Sequence, residues 1–229
     1  VIDCDCRQDG WTLEEASALV ERANVAYRIS KCDAPVDDDR YARLISERGA
    51  AAHETGHALV NLANGNKLLA VTIANGRPAT ISTPLHALPP LLAIIAAAAG
   101  HCAEGMANYF SHPTKDCLFD YISLAREGKT ANCDYCRAAR RLCEAFPSLS
   151  DGELVEVWDA VFQVTERLLR KPVFQSARYR IADALRDHMT LSGDDIAALV
   201  DVDALREAQG EALVGVNVND PKTWGLHNE

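Results

Sequence analysis

Ala50-Ala51-Ala52-His53-Glu54-Thr55-Gly56-His57-Ala58-Leu59-Val60 carries an H-E-x-x-H core within a run of helix-forming residues. No proline interrupts it, Asp38 or Asp39 offers an N-cap upstream, and Gly65 supplies a stop after Asn64. These signals predict one long helix. Residues four apart on a helix share a face, so both imidazoles point at one ion. Glu54, one position beyond the first histidine, projects beside them and can act as general base toward water activated by a metal. His53 and His57 are therefore expected as metal ligands, Zn2+ as the cofactor and Glu54 as the catalytic residue.

A catalytic zinc site takes a third protein ligand and keeps one position open. Val60-Asn61-Leu62-Ala63 offers no further histidine, so that ligand comes from farther along the chain. The candidates are the carboxylates Glu104, Asp116 and Asp120 and the imidazoles His101 and His112. Asp116 follows Ser111-His112-Pro113-Thr114, and a helix starting at Pro113 or Thr114 puts it in the first turn, where the dipole favours a carboxylate. Asp120 lies one turn on and stays open as the alternative, because Cys117, Leu118 and Tyr121 serve either register. Glu104 reads equally as an acceptor behind a ligating imidazole or as a solvated helix end. His101 reads as packed or solvated more readily than as a ligand.

Beyond the motif the pattern is mostly helical. Thr12 and Glu15 form a capping box before an amphipathic stretch to Ala23, and Cys32 to Asp39 reads as a loop. Leu69-Ala70-Val71-Thr72-Ile73, a turn at Asn75-Gly76 and a return through Ala79-Thr80-Ile81-Ser82 predict a small β-hairpin. Helices follow over about 90–110, 113–127, 132–146, 151–170, 173–188 and 193–208. Ser150 with Glu153 caps one, Pro172 separates two, and Ser192-Gly193-Asp194-Asp195 opens the last. The expectation is a mainly α fold with a small β-hairpin element: a single domain over 1–209 and a loosely structured tail over 210–229.

Composition narrows the function classes. The 229 residues carry a net charge of −10, which argues against a nucleic-acid face, because phosphate binding needs clustered Lys and Arg. The short cluster Arg137, Arg140 and Arg141 is at helical spacing and reads as a solvated face. No signal peptide is visible at the start, and the apolar run Leu91 to Ala99 is too short to span a bilayer; a soluble, cytoplasmic chain without a membrane segment is expected. The 8 cysteines, including Cys4/Cys6 and Cys133/Cys136, read as free thiols, with a structural metal site as the lesser alternative. Trp11, Trp158 and Trp224 are scattered, which suits core or rim packing.

Four blocks, in order, resemble the peptidase domain of the FtsH-type proteases, the membrane-anchored AAA+ zinc proteases. They are Ala52-His53-Glu54-Thr55-Gly56-His57-Ala58; Leu69-Ala70-Val71-Thr72-Ile73 with Gly76-Arg77; Ala98-Ala99-Gly100-His101-Cys102-Ala103-Glu104 with Lys115-Asp116 and Leu124-Ala125-Arg126; and Ile181-Ala182-Asp183-Ala184-Leu185 through Thr190-Leu191-Ser192-Gly193-Asp194-Asp195-Ile196. Together they cover about 40–200. The resemblance implies a zinc metallopeptidase in which the Lys115-Asp116 step stands at the family's third ligand. His101 replaces the family's Arg, Lys115 its Asn, and the spacing from Asp116 to Leu124 is one residue longer. No G-x-x-x-x-G-K-[ST] loop is present, so no ATPase is expected of this chain. A peptide or protein substrate is implied; a separate ATPase partner and homo-oligomer formation stay open. The rival is a non-catalytic zinc-binding regulatory or interaction module that retains the peptidase fold.

Overall fold

In the computed structural model the structure describes residues 38–74, 78–83, 88–108, 115–130, 133–217 and 220–224. The expectations for Thr12–Glu15, Cys4/Cys6, Trp11, the Asn75-Gly76 turn and His112 lie outside the described residues. Among the described residues the chain runs through α1 (Asp38–Ala63), β1 (Leu68–Thr72), β2 (Ala79–Ser82), α2 (Pro90–Asn108), α3 (Lys115–Arg126) and α4 (Asp134–Ala145). It continues through α5 (Asp151–Leu169), α6 (Pro172–His188), β3 (Thr190–Ser192), α7 (Gly193–Leu199) and α8 (Val202–Ala212). The protein is mainly α with a small antiparallel sheet, as its periodicity implies.

The motif helix ends where its stop signal stands: Gly65, at φ +80°, donates its N–H to Leu62 O at 3.0 Å. The chain then turns into the sheet. Its order is β2-β1-β3, and Thr72 pairs with Ala79 on one side and Thr190 on the other. The expected antiparallel pair is present, and a third strand joins it. It forms because Met189 takes a left-handed conformation (φ 60°) after α6 and swings Thr190-Leu191-Ser192 beside β1. A correction divides the expected 193–208 helix. Val200 is extended, and the Asp201 side chain accepts from Ala204 N at 3.0 Å, opening α8 as a new helix. Pro172 proves to be the first residue of α6.

The centre of the molecule is α2. From Leu91 to Ala99 it is apolar all round, which suits a helix covered on several sides. By length and composition Pro90–Ala107 could cross a membrane, but 56% of that stretch is buried in this fold, with α1, α4 and α5 packed on it. α1 and α2 pack closely on one another. A Cβ on Gly56 would run into the carbonyl of Ala99 and come within 2.7 Å of the Ala103 Cβ, so only glycine permits this crossing. The core continues through Trp158, Phe162 and Phe174 to Trp224, which is 1% exposed. Trp224 stacks edge-on against Phe146 and donates Nε1–H to Asn217 O at 2.9 Å. Part of the segment read as a loose tail is thus anchored, because an indole ring buries more apolar surface than most side chains.

Candidate metal centre

α1 presents His53 and His57 on one face, one turn apart, toward α2 and α4. His57 donates Nδ1–H to the Ala96 carbonyl of α2 at 2.8 Å. His53 directs Nδ1–H at Glu104 Oε2, also on α2, at 3.1 Å. With both Nδ1 protons committed, both Nε2 atoms offer lone pairs, and they stand 3.2 Å apart. Asp134, in the first turn of α4, completes the group. Its Oδ2 is 2.9 Å from His53 Nε2 and 3.1 Å from His57 Nε2.

Three such atoms converging this closely are held together by a proton or by a cation between them. Tetrahedral ligands at about 2.0–2.1 Å from one ion stand roughly 3.3 Å apart, close to the spacing here. Gly100 supplies the room: a Cβ there would lie 2.6 Å from His53 Nε2 and closer still to His57 Nε2. His53, His57 and Asp134 thus form a group that can hold a metal ion. The donor set and the cradle at Gly100 both fit one.

The electrostatics match. Burial pulls the His53 pKa down, but hydrogen bonds to Asp134 and Glu104 and the charge of Glu54 raise it to about 10, so without another cation the imidazole keeps a proton. Burial pushes the Asp134 carboxyl up, and its interactions with His57, the hydrogen bond to His53 and the charge of Arg137 override it and hold the group well below the usual range. Glu54 lies beside the histidines, 4% exposed. Thr80 of β2 donates Oγ1–H to Glu54 Oε2 at 2.7 Å, and Oε1 makes no hydrogen bond among the described residues. Burial raises the Glu54 pKa, against the pull of His57, His53 and Thr80. A pocket of about 100 Å³ opens here, lined among others by Glu54, His57, Thr80, Asp134, Arg137 and Arg141.

The structure brings together His53, Glu54 and His57. It does not bring Asp116 to them. Asp116 and Asp120 both lie exposed on α3, whose buried face is Leu118, Tyr121 and Ile122, and neither belongs to a metal-holding group among the described residues. The carboxylate at the histidines is Asp134, which the sequence reading passed over. A signal was present: Asp134 heads the stripe Ala138 and Leu142, both buried, whereas Asp116 heads Asp120, which is exposed. Glu104 resolves as the acceptor behind His53.

His101 stacks on Tyr135, with ring centroids 3.9 Å apart. Burial and the charge of His53 lower its pKa to about 4. With His53 and Glu104 it forms a second, looser group able to hold a metal, its Nδ1 4.0 Å from Glu104 Oε2. Cys136 is buried, and Cys133 serves as N-cap of α4, its Sγ accepting from Cys136 N at 3.4 Å; no cysteine joins a metal group among the described residues. The arginine cluster departs from its reading as a solvated face, since Arg137 and Arg141 line the pocket. Compared with known proteins, the chain matches no family model and no curated sequence.

Proposed function

We propose that the chain is a zinc-dependent metallopeptidase in which His53, His57 and Asp134 hold the metal and Glu54 is the general base. The observation that carries this reading is the triangle of His53 Nε2, His57 Nε2 and Asp134 Oδ2, each within 3.2 Å of the others, with both outer imidazole nitrogens engaged by fixed acceptors. Two imidazoles and one carboxylate suit Zn2+ in a catalytic site, which leaves a position open. Zinc bound there supplies Lewis acidity toward a peptide carbonyl and toward water.

The chain's own residues do the rest. Glu54 takes the proton of the attacking water as the C–O bond forms, then passes it to the leaving amine as the C–N bond breaks. Thr80 holds one carboxylate oxygen and leaves the other without a hydrogen bond among the described residues. Glu104 and the Ala96 carbonyl hold the imidazoles in the tautomer that ligation needs. The blocks that resemble FtsH-type peptidases point the same way, with Asp134 taking the part expected of Asp116. A peptide or protein substrate, a cytoplasmic setting and delivery by a separate ATPase belong to the same proposal.

The test pairs elemental analysis with cleavage of a fluorogenic peptide mixture by wild type and Glu54→Gln. About one zinc per chain is expected in both, with cleavage reduced at least about a hundredfold in the variant. Zinc in both without cleavage by either would favour the non-catalytic zinc module. Protein without zinc ends the reading.

A further inference from the structure

The ligand-bearing face of α4 extends past Asp134. Asp134, Arg137 and Arg141 are spaced i, i+3 and i+7, which is one helix face, and all three line the pocket that holds Glu54 and His57. Arg137 is already engaged, donating Nη2–H to Asp134 Oδ1 at 2.5 Å. Arg141 is not. It is half-buried and makes no hydrogen bond or ion pair among the described residues; Glu144, one turn on and exposed, acts on its charge only at a distance. Burial and the nearby charges of Arg137 and Arg140 weigh against this guanidinium.

The neutral side-chain donors of the cleft are taken. Thr80 donates to Glu54, Asn61 Nδ2 donates to His57 O at 2.8 Å, and Ser82 donates to Asn61 Oδ1 at 3.3 Å. The remaining lining includes the small side chains of Ala93, Ala96 and Ala97. The uncommitted donor is therefore a planar cation with several N–H groups, a geometry that matches a carboxylate two-for-two. An amide or apolar group in the same place would leave that cation without a counter-charge.

We propose that Arg141, with Arg137 beside it, binds a carboxylate of the peptide substrate next to the bond that reacts. This rests on the peptidase reading above. Two sources share the chemistry: the α-carboxylate of a chain end, or the side chain of an Asp or Glu near the cleavage point.

The test uses the zinc-loaded full chain and two matched pairs of N-acetylated alanine peptides. One pair differs only in a free or amidated C-terminus; the other, amidated throughout, differs only in Glu or Gln at the central position. Affinity is measured by calorimetry on Glu54→Gln, so that no peptide is consumed, and cleavage is measured on wild type. In one pair the acid should bind at least about tenfold more tightly than its neutral partner, the scale of a charge-assisted bond. Arg141→Ala should bring that ratio to about one, and Arg141→Lys should retain part of it, which guards against a folding defect. The pair that responds identifies the source. Equal affinities within both pairs, a preference that survives Arg141→Ala, or no binding by any peptide overturns the inference. A preference without cleavage keeps the subsite and removes the peptidase reading; cleavage without preference does the reverse.

Discussion

Asp134 Oδ2 and His57 Nε2 come from positions 77 residues apart and meet at 3.1 Å, a contact that exists only because α4 and α1 both pack on α2. His57 is held from behind by the Ala96 carbonyl, and Asp134 by Arg137, so neither partner is free to turn away. The relationship separates the metal centre from any property of α1 alone. It also sets the first test. Asp134→Ala should lower zinc affinity at least about tenfold, the scale seen when a metal site is disturbed, while Asp116→Ala should leave it nearly unchanged. Competition with a chromogenic chelator measures both. Equal losses, or a loss confined to Asp116→Ala, would return the third ligand to α3.

Glu104 tests the support behind the ligands. Its Oε2 receives His53 Nδ1–H at 3.1 Å and leaves Nε2 facing Asp134. Glu104→Gln keeps the shape and loses the charge, so zinc affinity should fall by about tenfold or more without loss of the fold. Unchanged affinity would make Glu104 a surface carboxylate of no consequence to the site.

The histidine pair was legible in the sequence because its imidazoles sit one turn apart on one helix, and helix geometry alone brings them together. The carboxylate that joins the pair was harder. Asp116 and Asp134 each stand in the first turn of a helix, and local signals treat them alike. What distinguishes them is the face: Asp116 shares its face with exposed Phe119 and Asp120, Asp134 with buried Ala138 and Leu142. The same limit hid β3. Three residues are too short to show strand alternation, and their pairing depends on the left-handed turn at Met189, 117 positions from its partner Thr72. The spacing of Arg141 fits a solvated stripe; the cleft beside it is made by α1, β2 and α2, which nothing local to α4 announces.

Gly100 offers a steric test. An alanine methyl there would occupy the space between the two Nε2 atoms. Gly100→Ala should abolish stoichiometric zinc uptake and lower stability by about 1–3 kcal/mol, as overpacking does. Circular dichroism and zinc analysis on the same sample separate the two effects. A variant that folds and still carries a full zinc would show that the cradle is not where the metal sits.

Thr80 tests the base. Thr80→Val removes the hydrogen bond to Glu54 Oε2 but no metal ligand. Turnover is expected to fall by about tenfold or more, since orienting a general base contributes on this scale, while zinc content holds. Thr80→Ser, which restores the hydroxyl, should recover most of the rate. Failure of Thr80→Ser to recover it would assign the loss to packing.

The most direct measurement is a crystal structure of the zinc-loaded protein with anomalous data collected across the zinc edge. One peak is expected between His53, His57 and Asp134, with His53 Nε2, His57 Nε2 and an Asp134 carboxylate oxygen each at about 2.0–2.2 Å from it. Glu54 should lie beside the ion and outside its ligand set. A peak held by Asp116, by Asp120 or by cysteines, or no peak at the two histidines, would contradict the metal centre and with it the proposed chemistry.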